Sequence, residues 1–272
     1  MSIRTALISM TLLASALHSS PLQADVLATS GVPAPVTAVT LRFCYEDKQL
    51  LPYYAGNSTE IPAQPGATIE HLRRATTAAG LTLELVRRPW LRCLQQLEDN
   101  NVDALVAAYD ENRAHYTRYP TQPDGLPDPS RAINQLGLCL AYRFDNRLEE
   151  KISSQSAITV SRPLGYRPIP FPANTALVPA HSPEHALELV VSGRVDATTV
   201  LCQLNGINAK EQHINRIPVL LLYPPLYQSD GYLMLSQRFY QQYPQLAERL
   251  WQALPATLDK NRYLQYLDYP IL

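Results

Sequence analysis

Arg113 follows a run of small and apolar residues, Ala104 to Tyr109, and then an aspartate, Asp110. A guanidinium grips a carboxylate through a two-pronged fork that lysine cannot reproduce. An arginine set just past a strand end and a capping Asp110 therefore suits anion binding. Its head would project over a helix N-terminus, where backbone N–H groups also favour negative charge. The same residues equally describe an exposed helix arginine paired with Glu111 or Asp110. Tyr45, Tyr53, Trp90 and Tyr109 offer faces for stacking and hydrogen bonding to a small polar ligand, or for core packing. Glu46 and Asp47 could meet a ligand's cationic group or stay solvated in a loop. Other chemistries find less support. His181 and His185 are four apart, but Ser182-Pro183 places His181 outside the helix, so no metal site is expected. GxSxG, P-loop and GxGxxG patterns are absent, and no cofactor is implied.

The elements that must position these residues are written twice. Leu94, Leu97, Val102, Asp103 and Ala104 align with Leu187, Val190, Val195, Asp196 and Ala197, and Asn100-Asn101 with Gly193-Arg194. Each copy reads as helix, tight left-handed turn and buried strand. A unit used twice predicts two similar α/β lobes with a cleft between them. Around the first copy the expected order is a strand at Leu41 to Tyr45, a helix at Thr68 to Ala79 stopped by Gly80, and a strand through Leu81, Leu83 and Leu85. A helix from Pro89 to Asp99 and a strand from Ala104 to Tyr109 follow, then a short helix capped by Asp110 and running to Arg118. Beyond them, strands are expected at Leu136 to Phe144, Ile158 to Val160, Ala176 to Val178, Ile217 to Leu222 and Gly231 to Leu235, with helices from Ser182-Pro183 and from Pro244 to Leu254. Asp103 and Asp196 sit at strand starts and are expected to cap turns. Proline-rich stretches at Pro120 to Pro129 and Tyr223 to Tyr227 are the expected crossings between lobes.

Arg4, the apolar run Ala6 to Leu17 and the small residues up to Ala24 read as a secretory signal peptide over residues 1–24. Residues 25–38 read as an unstructured leader. About 235 to 250 residues then remain, enough for one large or two medium lobes. A formal net charge of −1, without clustered basic and aromatic residues, argues against nucleic-acid binding. No later window is apolar enough for a membrane span, so the expected product is exported, to the periplasm, and monomeric. Four cysteines in an exported chain favour disulfides. Three pairings are possible. Strand and helix positions favour Cys44 with Cys93 and Cys139 with Cys202, each within one lobe.

This order of elements resembles the type II periplasmic solute-binding proteins, in the branch containing the polar amino-acid receptors of ABC importers. The resemblance runs from about Leu41 to Tyr269. It rests on Pro52-Tyr53, Gly66, Pro89-Trp90 with Arg92-Cys93-Leu94, Val102-Asp103-Ala104, Arg113, Tyr119-Pro120, and Gly193 to Ala197. It implies a two-lobe α/β fold with two crossover hinge segments, lobe I over residues 39–128 and 226–272, and lobe II over 129–225. It also implies a small polar or anionic solute held between the lobes, with an ABC transporter permease as partner. Arg113 would hold the ligand's carboxylate, with Tyr45, Glu46, Tyr53, Trp90, Tyr109, Asp110, Gly165 and Tyr166 around the cleft. Two departures qualify this. Leu201 stands where such receptors carry the aspartate that pairs with a ligand ammonium, and the usual Gly-Ser or Gly-Thr cradle is Gly165-Tyr166. A carboxylate-bearing or other small polar solute is therefore expected in preference to a standard α-amino acid. The alternatives are a dehydratase-like enzyme using the same cleft, or a binding lobe that serves a signalling partner.

Overall fold

A computed structural model of the protein describes residues 38–208 and 219–267. The expected signal peptide, nearly all of the leader and the start of the strand expected at Ile217 lie outside the described residues. In the first half, β1 (Thr40–Glu46), α1 (Ala67–Ala79), β2 (Thr82–Arg88), α2 (Trp90–Glu98) and β3 (Ala104–Ala108) alternate. β1 pairs in parallel with both β2 and β3, as β-α-β crossovers require. The second half repeats the pattern. β6 (Ile158–Pro163), β7 (Thr175–Ala180), α4 (Pro183–Val191) and β8 (Ala197–Leu204) form a second parallel trio around β6. The two trios join through the antiparallel strands β5 (Asn134–Arg143) and β10 (Val219–Ser236) into one sheet of order β2-β1-β3-β10-β5-β8-β6-β7. Minor strands β4 (Thr117–Arg118) and β9 (Ile207–Asn208) pair with β10 and β8.

The repeat has a physical meaning beyond its pattern. Asn100 and Gly193 both take positive φ, 57° and 72°, which ends α2 and α4 in the left-handed turn read from their alignment. Asp103 then lies beside β1. Its carboxylate accepts the Arg42 backbone N–H at 2.9 Å, its own N–H donates to the Arg42 carbonyl at 2.8 Å, and the Arg42 side chain closes the ion pair. Asp196 does the same to β6, accepting the Thr159 N–H at 2.7 Å and donating to the Thr159 carbonyl at 3.0 Å. These aspartates thus splice neighbouring parallel strands together and do not merely cap their own turns. Burial pushes the Asp196 acid up, yet Lys151, Thr159 and Asn146 outweigh it and hold it at about 2.

Helices cover the sheet. On the first half, α1 is joined by α6 (Pro244–Ala256) and α7 (Lys260–Leu267) around a core including Ile69, Leu72, Leu250, Trp251, Leu254 and Tyr263. On the second, adjacent β5 residues face opposite ways. Ala141 packs with Ala186 and Val190 of α4, and Leu140 with Leu148 of α3 (Leu148–Ser153). The disulfides Cys44–Cys93 and Cys139–Cys202, with Cα atoms 5.5 and 5.6 Å apart, tie β1 to α2 and β5 to β8.

Three expectations change. The helix expected from Asp110 to Arg118 is a three-residue 3-10 turn, Glu111–Arg113, followed by β4, because Thr117 and Arg118 pair with β10 instead. The strands expected at Ile217 to Leu222 and Gly231 to Leu235 are parts of one strand, β10, whose register against β5 shifts between Leu222 and Tyr227. Pro120 to Pro129 folds back on itself through the Thr121–Pro127 bridge. Arg131, just after it, is bonded to the Thr121 carbonyl and to Glu248 of α6, so β5 makes this crossing.

A buried histidine makes the first half sensitive to acid. His71 of α1 donates from Nε2 to the Leu254 carbonyl at 2.8 Å, leaving Nδ1 to accept the Tyr263 hydroxyl at 3.2 Å. Burial pushes its pKa down from 6.5 to about 4, against the Leu254 bond. The unfolded chain therefore binds the extra proton first. The contribution is complete above about 6.5 and is lost as pH falls toward 4. Denaturant titrations of the parent and of His71→Gln, which keeps the Nε2-like donor, should diverge with pH. The parent should lose up to about 3 kcal/mol more than the variant between pH 7 and 4. Parallel curves would show that His71 does not carry the effect.

Candidate functional site

The carboxyl ends of both parallel trios meet at a cavity of about 370 Å³, within the range of small-molecule clefts. Each wall follows from an element's end. Glu46 closes β1, Val106 to Ala108 close β3, and Trp90 opens α2. From the other side come Arg162 and Pro163 at the end of β6, Tyr166 and Arg167 just beyond it, and Pro183 and Glu184 at the start of α4. Leu136 and Leu138 of β5 with Tyr227, Ser229 and Gly231 of β10 complete the lining; their two-residue spacing puts each set on one face of its strand.

Arg113 lines this cavity and is 8% exposed, so it is not a solvated helix arginine. Its guanidinium lies over the Trp90 ring, 5.7 Å from the centroid, and its nearest carboxylate is Asp110 at 3.7 Å. That separation is longer than a hydrogen bond. The turn that carries Arg113 is fixed by Asp110, which accepts the Asn112 N–H at 3.0 Å, and by Thr117, which donates to the Arg113 carbonyl at 2.7 Å. The three-residue turn that carries Arg113 supplies no helix field of its own.

Of the other residues singled out in the sequence, Tyr53, Trp90, Glu46 and Tyr166 line the cavity. Tyr45, Tyr109, Asp110 and Gly165 do not. Tyr45 is buried under the Arg87 guanidinium, 5.1 Å from its ring centroid. Tyr109 packs edge-on against Tyr119, and Asp110 serves its own turn. Gly165 instead gives its carbonyl to Trp90 Nε1 at 3.2 Å, and a Cβ there would stand 2.2 Å from Leu91. Next to it, the Tyr166 hydroxyl donates to Glu46 at 2.9 Å. The turn after β6 thus seats on the ends of β1 and α2, and the two sides of the cavity touch. Burial raises the Glu46 acid to about 7 even though the Tyr166 bond lowers it.

Sequence reasoning missed Asn134, Arg162, Arg167 and Glu184. No motif surrounds them, and they reach the cavity only through the second half's strand ends. Their state is informative. Buried polar atoms normally find partners, yet among the described residues Tyr53 Oη, Asn134 Oδ1 and Arg162 Nε are buried without one, and all three residues line the cavity. Leu201, Val106, Leu136 and Leu138 give it apolar walls. No group of His, Cys, Asp and Glu able to hold a metal occurs among the described residues, and no helix among them is long and apolar enough to cross a membrane.

No family model matches the chain, and no curated protein matches it. Solved structures do. The GluR0 ligand-binding core in complex with L-glutamate superposes with a TM-score of 0.63 at 11% identity, covering 86% of this chain and 99% of that one. The probable amino-acid ABC transporter extracellular-binding protein ytmK from Bacillus subtilis gives 0.59 at 12%, covering 85% and 98%. The ancestral amino acid-binding protein AncCDT-1, a precursor of cyclohexadienyl dehydratase, gives 0.58 at 16%, covering 84% and 93%. At these identities the likeness is one of fold. The chain has the two-lobe α/β fold of the type II periplasmic solute-binding proteins.

Proposed function

We propose that the protein captures a small carboxylate-bearing or otherwise anionic solute in the cavity between its lobes, as an exported periplasmic receptor for an ABC-type importer. The observation that carries this reading is Arg113, a buried guanidinium in a ligand-sized cavity with no carboxylate at hydrogen-bonding distance. A charge so desolvated is costly unless an anion joins it. The orphaned donors Tyr53 Oη and Arg162 Nε in the same lining support it. So do the names of the similar structures, several of which are amino-acid-binding proteins. Two disulfides and an N-terminal signal-like segment suit export. Lobes I (39–128 and 226–272) and II (129–225) would close by bending at β5 and β10.

A thermal-shift screen of carboxylates, amino acids and short peptides would identify the ligand, since binding at a hundred times Kd adds about 2.7 kcal/mol. With that ligand, Arg113→Ala should weaken binding by about 2 to 5 kcal/mol, and Arg113→Lys should recover part of the loss. Calorimetry that finds Arg113→Ala binding as tightly as the parent would move the site elsewhere. Small-angle scattering should show a smaller radius of gyration with ligand bound, and an unchanged radius despite binding would remove closure.

Glu46 adds a pH signature. Its acid is held near 7 where Tyr166 meets it, and opening would return it toward 4.5, so closing takes up a proton between those values. Affinity should fall as pH rises from about 4.5 to about 7, by up to about tenfold per unit, and level off above 7. Glu46→Gln should flatten that dependence, and a variant as pH-sensitive as the parent would assign the effect to another group.

A further inference from the structure

The partnering of the arginines singles out Arg162. Most arginines that are partly buried are answered by acids: Arg42 by Asp103 at 2.9 Å, Arg131 by Asp128 and Glu248 at 2.7 Å, and Arg262 by Glu70 at 2.6 Å. Arg87, buried without an acid, directs its donors to the carbonyls of Glu46, Gly56 and Glu60. Arg162 has neither solution. It makes one hydrogen bond, Nη1 to the Arg167 carbonyl at 2.8 Å, and its guanidinium lies 5.7 Å from the Phe171 centroid. Its Nε is buried without a partner, and among the described residues it has no ion pair. Burial lowers its pKa with no carboxylate opposing it.

Arg162 ends β6, in the second trio, while Arg113 follows β3, in the first. Both line the same cavity. Each trio therefore offers one underpartnered guanidinium, with the apolar side chains of Val106, Leu136, Leu138 and Leu201 also in the lining. The third arginine, Arg167, donates to the Tyr227 hydroxyl at 2.7 Å and, unlike Arg162, has no buried nitrogen without a partner among the described residues. The two carboxyls in the lining do not balance these charges. Glu46 accepts the Tyr166 hydroxyl, and burial pushes both Glu46 and Glu184 toward the neutral acid.

We infer that the ligand is a dicarboxylate with an apolar middle, one carboxylate on Arg113 and the other on Arg162. This rests on the capture reading above and narrows it. A monoacid satisfies one guanidinium and leaves the other desolvated and unpaired, so it cannot hold both lobes. A diacid satisfies both, and bridging them draws the lobes together.

Calorimetric titration of the full chain with succinate, glutarate and adipate, each beside the monoacid of equal length, tests this. At least one diacid should bind ten times or more tighter than its monoacid. Arg162→Gln keeps a donor for the Arg167 carbonyl and removes only the charge. It should cut the diacid's affinity tenfold or more further than the monoacid's, whereas Arg113→Ala should weaken both. A thermal midpoint near the parent's would show that Arg162→Gln is folded, and Arg162→Lys should restore part of the diacid preference. Diacids binding no better than monoacids, or Arg162→Gln weakening both alike, would overturn the dicarboxylate assignment while leaving carboxylate capture at Arg113 standing. Failure of the parent to bind any carboxylate would instead bring down the capture reading itself.

Discussion

The pairing of β5 with β10 is the constraint on which the rest of the molecule depends. Apart from the short β4 and β9, the other described strands belong to one parallel trio or the other, and this antiparallel ladder is the central link that, with β3–β10 and β5–β8, makes the two trios one sheet. The same two strands supply cavity residues, Leu136 and Leu138 from one and Tyr227, Ser229 and Gly231 from the other. The strands that join the two halves therefore also line the cavity. Under the proposed capture, a solute resting there would touch the segment proposed to bend, which would let a contact of a few ångströms be expressed as a lobe movement. Between Leu222 and Tyr227 the ladder loses register, so the pairing is interrupted beside the cavity.

Within that frame the energetics of the cleft are set by charge removed from water. Arg113 and Arg162 are shielded enough that their ordinary hydration is reduced, and neither has a carboxylate at hydrogen-bonding distance. A buried cation so weakly answered is costly to keep out of water, which an anion would relieve. The Tyr166–Glu46 and Trp90–Gly165 contacts join the two sides of the cavity through one turn after β6. Under the proposed capture, closure would balance those few hydrogen bonds against the cost of burying guanidinium groups, and the solute would tip it.

Much of the fold was legible in the sequence because it is periodic and repeated. The helix–turn–strand unit around Asp103 and Asp196 announced two similar halves, and the left-handed turns at Asn100 and Gly193 follow from residue type. The cysteine pairing was legible for the same reason, since element order placed Cys44 near Cys93 and Cys139 near Cys202. The 18-residue β10 was read as two strands because Pro224-Pro225 interrupts its pattern, and it is one strand because β5 pairs with it on both sides of them. Asp110 to Arg118 was read as a helix because local capping was strong, but pairing with β10 prevailed. In the cavity, Glu46, Trp90 and Arg113 were legible at the ends or starts of predicted elements, and Tyr53 and Tyr166 only through the family resemblance. Asn134, Arg162 and Glu184 were not, because they reach the cavity only through how the second half's elements pack, which no local spacing encodes.

Capture without chemistry is the central claim, and recovery of the bound molecule tests it most directly. The purified protein would be saturated with a carboxylate that binds it, held for hours, then denatured, and the released molecule identified by mass. The account predicts one equivalent of ligand returned with its mass unchanged. A product of altered mass, such as one lighter by a water molecule, would contradict it and make the cleft an active site.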